Sequence, residues 1–592
     1  LDTFPRTGSG KLSRRMLPRP EFDIPDAEYS APDSAAEKAL CDTMAAVLKL
    51  DRVSAEADFY ALGGSSVTSM ELVSKCPLRR LDIGMIYQGR TPRKIAKIWQ
   101  EAIQAADAAA DRDADPAKPF PLTQTQMGIY AECARHPGEA IYNNPVLLRF
   151  PADTDACRLQ HAVETAVKAH PGLFAQIIPD ESGLPAMVYR PDSAEQALRE
   201  ITDSTEAAFT ARKSALAAPF NILEDRLFRM EIIRTEMAVR LFVDCHHIVF
   251  DGTSAHILFD DLARAWQGEE AEPEGYTAWH AATDEASLRE SGAYVSAKSW
   301  YMEQFGGIDA PSLPEGDRHG EQPVYASKNI PLTTPVSALR KFCAEHGLTE
   351  NVVTTAAFGV LLSGYTREKA PVFTTVYNGR KDSRTGRTVS MFVKTLPLRF
   401  NTAGGIPVTD LCTAVKEQLL GDMANDIFSF AELAAATGIT SDVMFVWQDQ
   451  MRAVPHLDGV TAVKEDVPFN AAGTMLSGEL TAEGDQLDLH MEYHANRYSG
   501  RFIDDFAARY NLVLEQMMRR ENLSGISLVS DEEVPALLQL SRGETVPYDT
   551  GETWLDLFRK QVQASPEHKA VTDSEGSYTY AELDQASDAV AA

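Results

Sequence analysis

The stretch CHHIVFDGTS at residues 245–254 carries two adjacent histidines, then an aspartate and a glycine at a short fixed distance. These residue types permit several chemistries. A neutral imidazole exchanges a proton near pH 7, two histidines ligate a metal, and a histidine with a carboxylate serves a hydrolytic triad. The flanking run RLFVDCHHIVF is apolar and rich in β-formers, which predicts a strand. Side chains alternate across a strand, so His246 and His247 are expected on opposite faces. Adjacent strand histidines do not readily chelate one metal, and no third ligand stands at motif spacing. No GxSxG elbow accompanies them to supply a nucleophile. The pair is left with two readings: a buried histidine satisfied by hydrogen bonds, and a base or hydrogen-bond donor.

A second candidate is LGGSSV at residues 62–67. Two glycines allow a tight turn, and Ser66 is delivered to the start of a helix. A helix N-terminus offers free N–H groups and a positive dipole end, a place for a phosphate. The plainer reading is a turn with a serine cap. A third stretch, TGSGKLS at residues 7–13, fails as a phosphate-binding P-loop, because Pro5 stands where a glycine is needed and Leu12 where Ser or Thr is needed.

These stretches lie on a chain of 592 residues, which at about 150 residues per domain is roughly four units. The formal net charge of −30 disfavours nucleic acid or an anionic membrane as the main partner, since both reward clustered Lys and Arg. No run of about 18 apolar residues is present. The start has no apolar signal region, so the expected setting is cytoplasmic. Seven scattered cysteines show no CxxC pair and no metal-ligand spacing. Both ends read as cut from a longer polypeptide.

Ser34 with Glu37 signals a helix start, and Leu40, Met44, Val47 and Leu48 follow at helical spacing. Thr91 and Pro92 open another helix, with Ile95, Ile98 and Trp99 on its apolar face. The Ala- and Asp-rich residues 105–118 read as a solvated linker. From 119 to about 530, helical patterns alternate with β-like runs such as APVFTTVYNG and SDVMFVWQDQ, a large mixed α/β unit.

In this context DFYALGGSS resembles the peptidyl carrier (thiolation) domain of nonribosomal peptide synthetases, and HHIVFDG resembles the HHxxxDG motif of their condensation domains. Further motifs of that family follow in order: PLTQTQMGIY at 121–130, YNGR at 377–380, SMFVKTLPLRF at 390–400, NDIFSFAEL at 425–433 and SDVMFVWQD at 441–449. The departure is Lys394, where the family often has Asn. TGSGKLSRR resembles the closing motif of an adenylation domain, with Lys11 as its lysine, and SYTYAELDQASDAVA resembles the first motif of the next one.

The resemblance implies a small all-α carrier bundle, then a two-lobed α/β fold like chloramphenicol acetyltransferase. Its expected boundaries are an adenylation tail at 1–24, a carrier domain at 32–104, a linker at 105–118, a condensation domain at 119–530 and an adenylation fragment at 531–592. The two lobes are expected near 119–290 and 291–530. It further implies a 4′-phosphopantetheine arm on Ser66, catalysis by His247, and supporting roles for His246, Asp251, Gly252 and Arg380. Asp251 is expected to brace its loop through Arg380, and Gly252 to let the backbone approach the substrate. The implied reaction is attack of a carrier-bound amine on a donor thioester, as in antibiotic or siderophore assembly. The implied partners are a downstream aminoacyl carrier, adenylation domains on either side, and a phosphopantetheinyl transferase. Four rivals share parts of the pattern. A stand-alone acyltransferase using free acyl-CoA would not carry a fused carrier domain and adenylation remnants. An epimerisation domain usually shows an EGHGR-type stretch where VYNGRKDSR stands here. A heterocyclisation domain replaces the first motif with DxxxxD. A condensation-like platform that only recruits partners would dispense with His247.

Overall fold

The computed structural model describes residues 29–592, apart from 63, 65, 79–80, 82, 111–117, 191–200, 309–312, 321–323, 382, 441, 449–453, 469–472, 544–549 and 575. Lys11 and the adenylation-like tail at 1–24 lie outside the described residues. Two compact units meet in sequence at Leu528 and Val529.

The first unit begins with helices Ala35–Leu48, Ser66–Lys75, Ile83–Gly89 and Pro92–Ala110. Their apolar stripes close over Leu40, Met44, Phe59, Leu72, Ile86 and Ile95. Ser34 Oγ accepts from Glu37 N at 3.1 Å, but Glu37 answers one residue earlier than a capping box requires, taking Asp33 N at 2.9 Å. Thr91 precedes Pro92 at the last helix start, where proline's missing N–H costs nothing. That helix runs through Ala110, so residues 105–110 are helix and not linker. Alanine's high helix propensity carries the helix past the end of the apolar pattern. Residues 111–117 of the expected linker lie outside the described residues.

Two larger sheets follow. The first has five strands in the order Val463–Glu465, Asn143–Phe150, Val239–His246, Phe228–Arg234, Thr202–Asp203. Helices Ala156–Lys168 and Gly252–Trp266 cover one face, burying Leu159, Val163, Leu258 and Leu262 against Leu241, Val243 and Cys245. The second sheet has six strands in the order Lys394–Arg399, Val372–Tyr377, Val443–Gln448, Leu476–Glu483, Gln486–His494, Tyr325–Pro331. Its strand Gln486–His494 alternates, with Leu487, Leu489, Met491 and Tyr493 buried. Helices Glu350–Thr366 and Gly500–Met517 pack there, and Phe358 stacks on Phe445 at 4.7 Å between ring centroids.

A boundary at 290 does not divide these sheets cleanly. Val463–Glu465 comes from the later half of the chain yet pairs antiparallel with Arg149, Leu148 and Leu147 of the first sheet. A three-residue exposed strand carries too little apolar pattern to announce that crossing.

The carrier-like bundle rests on this α/β body. Helix Ile83–Gly89 packs on helix Val408–Ala424, where Tyr87 Oη donates to Glu417 O at 3.2 Å. Helix Pro92–Ala110 lies against helix Ala278–Arg289. The second unit contains helices Glu533–Leu540, Trp554–Ala564 and Tyr580–Ala591 and a hairpin of Lys569–Thr572 with Ser577–Thr579. Among the described residues no helix is long and apolar enough to cross a membrane.

Candidate active site

The strand Val239–His246 ends four residues before the apolar run, which extends to Phe250. His246 is its last residue, and His247 opens a 3-10 turn over His247–Val249. The two rings therefore separate where the strand gives way to a turn. Their backbone amides still follow the strand pattern to opposite neighbours: His246 N donates to Leu227 O, and His247 N to Tyr142 O, each at 2.7 Å.

His246 is buried, with its ring near Tyr142, Phe220 and Cys133. Its Nδ1 accepts Ile248 N–H at 3.2 Å. In the neutral ring the proton then sits on Nε2, which faces Cys133 Sγ at 3.6 Å. Burial, with His247 and Arg229 adding to it, pushes His246 down to about 3. A neutral, fully engaged ring has a structural role.

His247 is half-buried, and its Nδ1 lies 2.8 Å from Phe250 O. A carbonyl only accepts, so Nδ1 carries the proton and a neutral ring keeps its lone pair on Nε2. Among the described residues Nε2 makes no hydrogen bond. A ring fixed by its own backbone, with the basic nitrogen left over, is built to take a proton or to hold a hydrogen-bonding group.

The turn is braced from several sides. Gln126 Nε2 donates to Ile248 O at 2.8 Å, and the Gln126 carboxamide oxygen completes a capping box with Thr123 at the start of helix Gln124–Arg135. Asp251 caps helix Gly252–Trp266, its Oδ1 accepting Ser254 N at 2.7 Å. Its Oδ2 accepts Phe392 N at 3.0 Å. Arg380 Nη2 approaches Asp251 at 3.0 Å and 3.3 Å, while Nη1 donates to Thr388 O at 2.7 Å. The Arg380 guanidinium also lies over the Phe392 ring. The structure thus brings Asp251 and Arg380 together on the loop behind His247. Gly252 is the first residue of the capped helix.

The segment that supplies Phe392 is held in turn. His170 faces Asp261 through Nε2 at 2.9 Å and Glu274 through Nδ1 at 2.8 Å. Both ring nitrogens donate to carboxylates. Burial disfavours the charge, but these two partners outweigh it and raise His170 above the usual value. Glu274 also accepts Val389 N at 2.8 Å, and Asp261 accepts from Arg387.

Ser66 stands elsewhere, as the first residue of helix Ser66–Lys75. Ahead of it Gly64 N donates to Phe59 O at 2.9 Å. A Cβ at Gly64 would meet the buried Phe59 ring at 2.5 Å, so the turn that presents the serine requires glycine there. The start of a helix, with its N–H groups and positive dipole end, suits a phosphate-linked arm.

Sequence reasoning did not find Gln126, Ser254, His170 or the Phe392 amide. Gln126 lies inside the quoted PLTQTQMGIY stretch, three residues after Thr123, and that spacing signals a capping box. Ser254 lies three residues after Asp251, at the spacing of a helix N-cap, while His170 and the Phe392 amide act through long-range contacts with no local pattern. Among the described residues no group of three or more His, Cys, Asp or Glu is placed to hold a metal ion.

Comparison with known proteins adds the following. The profile of the condensation domain matches residues 117–538, and that of the phosphopantetheine attachment site matches residues 38–99. The chain is 24% identical to surfactin synthase subunit 1 of Bacillus subtilis (strain 168) over 606 residues, covering 98% of this chain and 17% of that protein. It is 24% identical to tyrocidine synthase 2 of Brevibacillus parabrevis over 627 residues, covering 99% of this chain and 17% of that one. The chain therefore spans about a sixth of the length of these relatives. Among solved structures, the first condensation domain of the calcium-dependent antibiotic synthetase, with a substrate analogue, aligns at TM-score 0.59 and 18% identity, covering 70% of this chain and all of that one. The X-domain of teicoplanin biosynthesis, solved in complex with OxyB, aligns at TM-score 0.60 and 18% identity, covering 71% and 98%. Both likenesses concern the fold.

Proposed function

Because the chain belongs to the condensation-domain family and carries a phosphopantetheine attachment domain ahead of it, we propose that it forms an amide bond between two carrier-bound substrates. The donor is an acyl or peptidyl thioester held at Ser66. The acceptor is the amine of an aminoacyl group on a further carrier domain; its attack on the thioester carbonyl forms the C–N bond, breaks the C–S bond and releases the donor thiol, which takes up the proton. The observation that carries this reading is the His247 ring, fixed through Nδ1 and left basic at Nε2. When attached, the 4′-phosphopantetheine arm supplies a flexible tether and an activated thioester.

His247 takes the amine proton through Nε2, or holds the amine and the developing oxyanion by a hydrogen bond. Asp251, fixed by Arg380 and Phe392 N, keeps the loop from moving as the substrates arrive. His246 supports the corner and does no chemistry. Gly252 lets the backbone approach the substrate closely. Much of the rate gain comes from proximity of two tethered groups. The reading places a carrier domain at 32–104, a condensation domain at 119–530 and an adenylation fragment from 531, working in the cytoplasm. Its partners are a phosphopantetheinyl transferase, the neighbouring adenylation domains and the acceptor carrier.

The test charges Ser66 with a panel of aminoacyl groups from their coenzyme A thioesters and a phosphopantetheinyl transferase. Aminoacyl N-acetylcysteamine thioesters then serve as acceptors. Amide products that depend on both components support the reading. A loaded donor that yields no amide with any acceptor overturns it in favour of a recruitment platform.

A further inference from the structure

The residue at which this chain departs from the condensation-domain pattern is Lys394, and it faces the first half of the molecule. Lys394 opens a strand of the second sheet, opposite Tyr377. Its Nζ donates to Glu285 Oε2 at 2.9 Å, on helix Ala278–Arg289. Both side chains are 13% exposed. Burial opposes the lysine's charge, but Glu285, Asp426 and Glu432 outweigh it and hold Lys394 above its usual value. It stays an ammonium.

Glu285 has a second task. Its Oε1 accepts Gln124 N at 2.6 Å, at the first residue of helix Gln124–Arg135. A carboxylate there satisfies one of the orphan first-turn amides and complements the helix dipole. Two residues on, Gln126 donates to Ile248 O, the residue directly after His247. A route thus runs from Lys394 to Glu285 and Gln124 by polar contacts, along the first turn of the helix to Gln126, and by a further hydrogen bond to the turn that carries His247. It is separate from the route through Asp251, although both start in one short segment, from Phe392 N and from Lys394 Nζ.

The geometry points to Lys394 and Glu285 as positioning residues that fix the His247 turn from the second sheet through the first turn of helix Gln124–Arg135. This inference rests on the catalytic reading of His247. Without the ammonium, Glu285 becomes an uncompensated, largely buried carboxylate and its hold on Gln124 N weakens. The turn then shifts, and a displacement of about 1 Å costs on the order of 100-fold in rate.

The experiment uses the full chain labelled with ¹³C- and ¹⁵N-histidine. His247 signals are assigned by their loss in His247→Gln. Amide formation is followed with the aminoacyl panels described above. Lys394→Met and Glu285→Gln are each expected to move the His247 ring signals and to lower the amide rate by about 10-fold or more at saturating acceptor. Lys394→Arg, which keeps the charge, is expected to retain both wild-type properties. The double variant is expected to fall no further than the worse single one, as for residues acting in one chain. Unchanged His247 signals in folded Lys394→Met and Glu285→Gln overturn the inference. So does equal loss in Lys394→Arg and Lys394→Met. If the wild type makes no amide, the proposed function fails, while the ring signals still report on the tether alone.

Discussion

Asp251 and Arg380 lie 129 positions apart and meet at 3.0 Å, with side chains 0% and 5% exposed. The carboxylate caps a helix and the guanidinium gathers Thr385 O and Thr388 O, so the pair joins the His247 loop to a remote segment. A pair this enclosed is costly to break by halves, because the remaining charge stays buried.

Arg380→Gln is therefore expected to destabilise the first unit by about 3–5 kcal/mol, read from denaturant unfolding. Arg380→Lys is expected to recover only part of that loss. An ammonium does not serve Asp251 and two carbonyls with the planar fork of arginine.

His246 makes stability depend on pH in a known direction. Its folded value is depressed to about 3 from 6.5, so the neutral ring's contribution is present above pH 6.5 and is lost as pH falls through 3. The full span corresponds to on the order of 5 kcal/mol. Unfolding free energies of wild type and His246→Gln, measured from pH 7 to pH 4, are expected to converge as pH falls. Parallel curves would contradict the buried, neutral assignment.

Gly64→Ala places a methyl group 2.5 Å from the Phe59 ring. Overpacking there is expected to cost about 1–3 kcal/mol in the carrier bundle and to slow arm attachment. Ser66→Ala, by contrast, is expected to leave stability unchanged and to abolish the mass gain from coenzyme A and a phosphopantetheinyl transferase. A persisting gain would move the attachment site elsewhere.

Tyr87 Oη donates to Glu417 O, a polar contact between the bundle and helix Val408–Ala424. Tyr87→Ala is expected to lower amide formation from a donor tethered at Ser66, and to leave unchanged the reaction of a donor supplied as a free N-acetylcysteamine thioester. Equal loss with both donors would mean that the docking contact is not what the substitution disturbs.

Local rules made much of this legible. Ser34, Thr91 and Pro92 mark helix starts because capping depends on a few neighbouring residues, and the ordered motifs around His247 and Ser66 are contiguous stretches. The His246–His247 corner was harder. An apolar run does not reveal where a strand gives way to a turn, and the turn at His247–Val249 begins inside it. Gln126, Glu285 and His170 act on residues more than ninety positions away, and residue spacing carries no trace of such contacts. The helix to Ala110 was missed because an Ala-rich segment without apolar periodicity reads equally as linker.

The central claim is that His247 performs the acyl transfer and is not merely part of the fold. The direct measurement compares His247→Ala with wild type, both charged at Ser66 and offered the same aminoacyl N-acetylcysteamine acceptor, with products followed by mass spectrometry. The account predicts equal charging of Ser66 in both proteins and a fall in amide formation of about 10²–10⁴-fold in the variant. Equal charging with equal amide formation would contradict it.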